Sequence, residues 1–273
     1  MKKIIIAFDG QHYSTSTMEF VLSLNQMERV ALTAVFLSPV DYTAIWSFPI
    51  LPGGSDILSA TGDNKSENVV SNNMKRFEET CQLHQIPYRI HNDINGMVFS
   101  SLKKESRFAD LLLVSNQLFY EQIGRQPNDY LQNILQIVEC PVLLIPEKGL
   151  FPERIVFAYD GSESSIYAVK QFYYLFPSMC RLPTTLMYAK AGKDEIPDQV
   201  NAEELLLRHF SDLSIELLDD DNPAHLVEWM RQQPSALLIT GAYGRSGISQ
   251  LFRKSFAKEI VKEHFVPVFI AHK

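Results

Sequence analysis

Matching segments in the two halves of the sequence show that the chain contains an internal duplication. Residues 3–10, KIIIAFDG, match residues 154–161, RIVFAYDG, and each segment opens a strand, a turn and an amphipathic helix. Residues 109–115 match 235–241, and residues 140–145 match 266–271. A repeat of this length is typical of two homologous domains, because the units of a solenoid are only about 20 to 50 residues long.

Apolar strands alternate with helical patterns in both halves. Segments such as Leu111–Val114 have no polar face, which is typical of parallel strands covered by helices on both sides. The sequence therefore predicts an α/β protein with two doubly wound, parallel, five-stranded sheets in tandem. The strands are predicted at 3–8, 30–37, 88–92, 110–115 and 141–145, and at 154–159, 183–190, 213–218, 235–240 and 266–270. The helices are predicted at 14–26, 66–84, 97–106 and 127–138, and at 164–175, 198–210, 222–231 and 249–263.

The length of 273 residues fits two domains, and we predict them at 1–147 and 152–273. The join near residues 147–152 is short, so the two domains should be closely coupled. The extra residues of the first half form an irregular, unusually apolar segment, Ser38–Asn64. This segment either covers its own domain or serves as a lid or a partner-binding flap, and we favour the covering role.

Composition excludes several classes of function. A net charge of −7 argues against a general nucleic-acid binder. No apolar stretch is long enough to span a membrane, and the polar residues from Asp9 onward end the first apolar run too early for a signal peptide, so we expect a cytoplasmic protein. The three cysteines show no C-x-x-C spacing and the seven histidines no metal-binding spacing, which predicts buried, reduced thiols and no metal site. Serine-hydrolase and P-loop motifs are absent, so we expect no catalytic residues and no enzyme.

The stretch 237–255, LLITGAYGRSGISQLFRKS, joins a buried strand to a glycine-rich turn and a helix. Such a turn exposes backbone N–H groups beside a helix N-terminus, and can hold a phosphate. Asp160 follows the first strand of the same half, and its carboxylate could accept hydrogen bonds from a nucleoside. Simpler alternatives are that the glycines only make the bend and that Asp160 caps the next helix. The two places converge only if the first and fourth strands of this half are neighbours.

These segments resemble the universal stress protein (UspA-like) family, here in tandem form, over nearly the whole chain. The resemblance implies a Rossmann-like fold of the adenine nucleotide alpha hydrolase type. Nucleotide-binding members carry G-x2-G-x9-G-[ST] after the fourth strand, on the phosphates of ATP, and an Asp after the first strand, on the nucleoside. In this sequence the positions that match the family's site are Asp160, Gly241, Gly244 and Ser255. Lys254 replaces the third glycine, and its ammonium could contact a phosphate instead. Arg245 adds a second cation, or is only a solvated surface residue.

The first half departs from that motif. In the alignment, Gly241, Gly244, Lys254 and Ser255 correspond to Ser115, Leu118, Asn128 and Asp129. Asp129 would repel a phosphate by roughly 1–4 kcal/mol. We therefore expect the first domain to have lost the nucleotide and to supply an interface for the second.

The resulting hypotheses fall into different functional classes. The leading one is a stress-associated regulatory protein whose C-terminal domain binds ATP or another adenine nucleotide and thereby changes how the chain meets a protein partner. The alternative is a nucleotide-free interaction module in which both sites are degenerate, and a weaker one is a slow ATPase. The resemblance also implies that the last strands of the two halves, 141–145 and 267–270, pair as in an intramolecular dimer. Further association into a homodimer is open.

Overall fold

The computed structural model describes residues 1–9, 12–37, 64–91, 98–115, 134–148, 150–189, 195–218, 222–233, 235–242, 260 and 265–272. Ten strands form one continuous sheet in the order β3-β2-β1-β4-β5-β10-β9-β6-β7-β8. In the first half these are β1 (Lys2–Asp9), β2 (Val30–Leu37), β3 (Tyr88–His91), β4 (Leu111–Ser115) and β5 (Val142–Ile145). In the second half they are β6 (Arg154–Tyr159), β7 (Thr184–Ala189), β8 (Leu213–Leu218), β9 (Ala236–Ala242) and β10 (Val268–His272).

Six helices with defined bounds cover the described part of the sheet. They are α1 (Thr15–Met27), α2 (Asn64–Leu83), α3 (Val98–Ser106), α4 (Glu163–Leu175), α5 (Gln199–Leu207) and α6 (Pro223–Arg231). A 3-10 helix follows α4 at Pro177–Arg181, and residues 134–137 are also helical. Side-chain caps mark three of these helix starts. Ser14 accepts from the N–H of Thr17 before α1, Ser162 from that of Ser165 before α4, and Asn222 from that of Ala224 before α6.

The inner strands, such as β4 and β5, are apolar because both faces of the sheet are buried there, whereas the edge strands β3 and β8 are only partly buried. Along β1, Ile4 and Ile6 join the core on one face, Ile5 joins the core on the other, and all three side chains are fully buried. Helices α1, α2, α4 and α5 pack on the first face, and α3 and α6 on the second. This is the doubly wound α/β arrangement that the alternation of strands and helices predicts.

Within each half the described strands all pair in parallel, and the two halves meet at an antiparallel pair. Val268 of β10 lies opposite Leu144 of β5, and Ile270 lies opposite Val142. The predicted pairing of the last strands is therefore present. It merges the two predicted five-stranded sheets into one sheet of ten strands.

Side chains also join the halves beside this pair. The carboxylate of Glu28, after α1, accepts a hydrogen bond of 2.8 Å from the hydroxyl of Ser178 in the second half. The same carboxylate pairs with the ammonium of Lys2, which lies 5.9 Å from the ring centroid of Phe176. The rings of Phe20 and Phe151 lie 4.9 Å apart. These contacts fix α1 against the second half.

Most predicted elements agree with the structure to within a few residues. The largest difference among described helices is α5, which ends at Leu207, whereas the pattern predicts a helix to 210. The chain beyond Leu207 makes turn hydrogen bonds, from the N–H groups of His209 and Phe210 to the carbonyl of Leu206. The segment 38–63, most of the predicted helix 249–263 and the first part of the predicted helix 127–138 lie outside the described residues.

Among the described residues, no helix is long and apolar enough to cross a membrane. Nor do three or more histidine, cysteine or acidic side chains come together there in a group that could hold a metal ion. The cysteines are free and buried, as the sequence predicts.

Replacing a buried leucine at the junction of the halves should destabilise the protein strongly. Leu144 is fully buried in β5, so Leu144→Ala leaves a cavity and should lower the free energy of unfolding by about 2–5 kcal/mol. Leu150 is 73% exposed, and Leu150→Ala is the matched control, expected to change stability by less than about 0.5 kcal/mol. Urea unfolding of the three proteins measures both values, and equal midpoints for the two variants would contradict this account of the junction.

The buried thiols should be unreactive in the native protein. Burial, and then the charge of Asp110, raises the pKa of Cys140 from 9.0 to about 12, and burial followed by the charge of Glu78 raises that of Cys81 equally. Burial raises the pKa of Cys180 to about 11. At pH 8 a thiol reagent should therefore label the native chain slowly and the urea-unfolded chain at all three cysteines. Because the folded pKa values are raised, the stability linked to the neutral thiols is complete below about pH 9 and is lost as pH rises towards 12.

Candidate functional site

Strands β6 and β9 are neighbours in the sheet and run in parallel, so their carboxyl ends lie at the same edge. Ala158 of β6 pairs in register with Thr240 of β9. Asp160 follows Tyr159, the last residue of β6, and Gly241 is the next-to-last residue of β9. The adjacency of first and fourth strands that the candidate site requires is thus present. Gly244, Arg245, Lys254 and Ser255 lie outside the described residues.

Asp160 is exposed and organises the turn that leads from β6 into α4. Its Oδ1 accepts a hydrogen bond of 2.9 Å from the backbone N–H of Ser162. Ser162 in turn caps α4, so the helix cap is the serine rather than Asp160. Between them, Gly161 has a φ of 78°, which side chains with a Cβ rarely adopt. The carboxylate is therefore held at the edge of the sheet by the turn itself.

Gly241 lets the start of α4 pack directly against the end of β9. A Cβ atom at this position would lie 2.2 Å from the carbonyl carbon of Ser164 and 2.3 Å from its oxygen. Both are backbone atoms of the first turn of α4, and they cannot move without shifting the helix. The fold therefore requires a glycine at this position, whether or not a ligand binds nearby.

In the first half, the position aligned with Gly241 is not a glycine. Ser115 aligns with Gly241, and its buried hydroxyl has no hydrogen-bond partner among the residues that the structure describes. In the sequence, four residues separate Asp9 from the cap Ser14, whereas one residue separates Asp160 from the cap Ser162.

The surroundings of Asp160 are acidic. The hydroxyl of Tyr159 donates a hydrogen bond of 2.8 Å to the carbonyl of Pro197. Burial raises the pKa of Tyr159, and the negative charges of Asp198 and Asp160 raise it further. Carboxylates at such an edge can accept hydrogen bonds from hydroxyl or amine groups, and they repel a phosphate.

The different demands at the two aligned positions give a test. Gly241→Ala should lower the free energy of unfolding by about 1–3 kcal/mol, because the new methyl group meets the backbone of Ser164. Ser115→Ala introduces the same residue at the aligned position, removes an unpartnered hydroxyl, and should be neutral or slightly stabilising. Urea unfolding measures the difference, and an unchanged midpoint for Gly241→Ala would refute the packing role.

Comparison with known proteins bears on the family. No family model matches the chain. A universal stress protein, Slr1230 of Synechocystis sp., is 26% identical over 141 residues, which are 50% of this chain and 49% of the relative. The chain thus matches about half the length of that curated relative.

Solved structures share the fold across the whole chain. A universal stress protein from Archaeoglobus fulgidus matches 99% of this chain and 98% of its own, with a TM-score of 0.72 and 12% identity. A functionally unknown protein from Pseudomonas aeruginosa PAO1 matches 100% of this chain and 92% of its own, with a TM-score of 0.54 and 10% identity. At 10–12% identity, the solved structures show similarity of fold only. The Synechocystis protein is similar in amino-acid sequence. Taken with the duplicated sequence and the doubly wound sheet, these matches show that the chain is similar to UspA-like universal stress proteins, in sequence over half its length and in fold over nearly all of it.

Proposed function

We propose that the protein is a stress-associated regulator whose C-terminal half binds ATP or a related adenine nucleotide at the edge formed by β6 and β9. Similarity to universal stress proteins supports the stress-associated role. The observation that carries the nucleotide proposal is the parallel pairing of β6 with β9, because it brings Asp160 and Gly241 to one edge of the sheet. Ligands of open parallel sheets bind at such an edge.

Each residue of the proposed site has a chemical task there. The exposed carboxylate of Asp160 accepts hydrogen bonds from the nucleoside. Backbone N–H groups from Gly241 to Gly244 and the hydroxyl of Ser255 contact the phosphates, and Arg245 and Lys254 offset their charge. No residue is assigned to catalysis, so the proposal is binding without turnover.

A nucleotide-free interaction module is the second candidate, and two observations favour it. The carboxylate of Asp160 already accepts a hydrogen bond from its own turn, and Gly241 is required by the packing of α4. Both residues therefore have structural tasks that need no ligand. Lys254, in place of the family's third glycine, adds to this case.

The proposed setting is the cytoplasm, where the nucleotide state of the second half would alter how the chain meets a protein partner. The first half supplies the interface in this proposal, because its aligned residues lack the glycine motif. Pairing of β5 with β10 already gives the chain the form of an intramolecular dimer, and a homodimer of whole chains would need a different surface.

Calorimetry with ATP tests the proposal. Wild-type protein should bind ATP with measurable heat at millimolar concentration or below. Asp160→Ala, which loses nucleoside hydrogen bonds, should weaken binding about tenfold or more, and Gly244→Val should do so by blocking the phosphate turn. Asp9→Ala makes the same change at the aligned position of the first half and should leave the affinity unchanged.

The rival outcomes are distinct. Absence of heat from folded wild-type protein at millimolar ATP would favour the nucleotide-free module. Equal losses with Asp9→Ala and Asp160→Ala would contradict the assignment to the second half. Phosphate release above the rate of a no-protein control would be needed to revive the slow ATPase. Circular dichroism of each variant ensures that lost binding does not reflect lost folding.

A further inference from the structure

A cavity that is open to solvent lies beside the β6–α4 turn, between helices α4 and α5. Its volume is about 650 Å³, which is within the range of small-molecule sites. Tyr159 and Gly161 line it at the turn, and side chains of α4 and α5 form its walls. It extends along α4 as far as Lys170, two turns beyond the start of the helix, and neither Asp160 nor Gly241 lines it. The cavity is thus distinct from the proposed nucleotide edge.

Polar side chains around this cavity have no partners in the described part of the chain. Glu163 and Lys170 come from α4, and Asp198 and Asn201 from the start of α5. None of the four side chains makes a hydrogen bond or ion pair with any described residue. Glu163 and Lys170 are seven residues apart, or about 10 Å along the helix, which is too far for them to pair with each other.

Asp198 adopts a conformation that is costly for an ordinary residue. It precedes α5 with φ 48° and ψ 31°, in the left-handed region, and its side chain does not cap the helix. An aspartate before a helix usually has extended backbone angles and accepts a hydrogen bond from the first turn. Its carboxylate is therefore left to line the cavity, where its charge also reaches Tyr159 and raises the pKa of that phenol.

The remaining lining is aromatic and aliphatic. Tyr159 and Tyr167 contribute rings, and Ile166, Ala202 and Leu205 contribute apolar surface between the charged ends. Carboxylates beside tyrosine rings suit an ammonium or guanidinium group, which gains charge pairing and cation–π contact. The ammonium of Lys170 suits an anionic group, and the aliphatic middle suits a hydrocarbon stem.

We propose that this cavity binds a small zwitterion in which a cationic amine or guanidinium and a carboxylate are joined by an aliphatic stem. The cationic group contacts Asp198 and Glu163, the stem lies on Ile166 and Leu205, and the carboxylate contacts Lys170. The site is independent of the nucleotide proposal and involves none of its residues.

Three probes with the same stem test the charge assignment. 6-Aminohexanoate carries both charged groups, hexylamine only the cation, and hexanoate only the anion. Titration of each into the full-length protein, followed by amide chemical shifts in NMR, should show the tightest binding for 6-aminohexanoate, with shifts at Gly161 and Asn201. Equal binding of hexylamine or hexanoate, or shifts elsewhere on the protein only, would overturn the proposal, as would an absence of shifts up to 10 mM, roughly the weak limit for a small ligand.

Variants give a second, independent test. Asp198→Asn removes the charge and keeps a residue that tolerates the left-handed conformation, so the backbone should be preserved. It should weaken 6-aminohexanoate binding about tenfold, as should Lys170→Gln. Glu204→Gln is the matched control, because Glu204 lies on α5 outside the cavity and pairs with Arg208, and it should bind as wild type does. Unchanged affinity in Asp198→Asn, with its fold verified by the NMR spectrum, would refute the site.

Discussion

The antiparallel pairing of β5 with β10 is the interaction on which the whole architecture depends. Each of these strands ends the sheet of its own half and is buried, with Val142, Leu144, Val268 and Ile270 all at most 1% exposed. Alone, either half would present an apolar strand with unpaired backbone groups, which is the kind of edge that proteins protect from aggregation. Their pairing provides hydrogen-bond partners for the backbone groups of both strands and joins the two sheets into one. The ion pair of Lys2 with Glu28 and the contact of Glu28 with Ser178 then fix the helices on either side of the junction.

The sequence was sufficient for the fold because the signals were local and strong. Short apolar runs such as Leu111–Val114, alternating with helical patterns, favour buried parallel strands. The duplicated openings at 3–10 and 154–161 indicate the same order of elements in both halves. The sequence pattern does not predict where α5 ends. Beyond Leu207 the chain forms a turn in which the N–H of Phe210 bonds to the carbonyl of Leu206 and the Phe210 side chain is buried. The joining of the halves came from family resemblance, since no residue in β5 or β10 by itself specifies an antiparallel partner.

The candidate site was less predictable, because one residue type can serve two purposes. A glycine at 241 signals a phosphate turn, yet the structure shows that the approach of α4 requires it as well. Asp160 could be a ligand contact or a helix cap, and the structure shows that it accepts a hydrogen bond from the N–H of Ser162, while Ser162 is the helix cap. The α4–α5 cavity was not found from sequence at all. Its walls come from helices whose charged residues look like ordinary solvated positions, and only the left-handed backbone at Asp198 distinguishes them.

The polarity of the strands has a consequence for how the two halves meet other molecules. Strands within each half run in one direction, and the antiparallel junction reverses that direction between the halves. The carboxyl ends of β1 and β4 therefore lie on one rim of the sheet, and those of β6 and β9 lie on the opposite rim. A single small ligand cannot bridge both rims, and a substitution on one rim need not disturb the other.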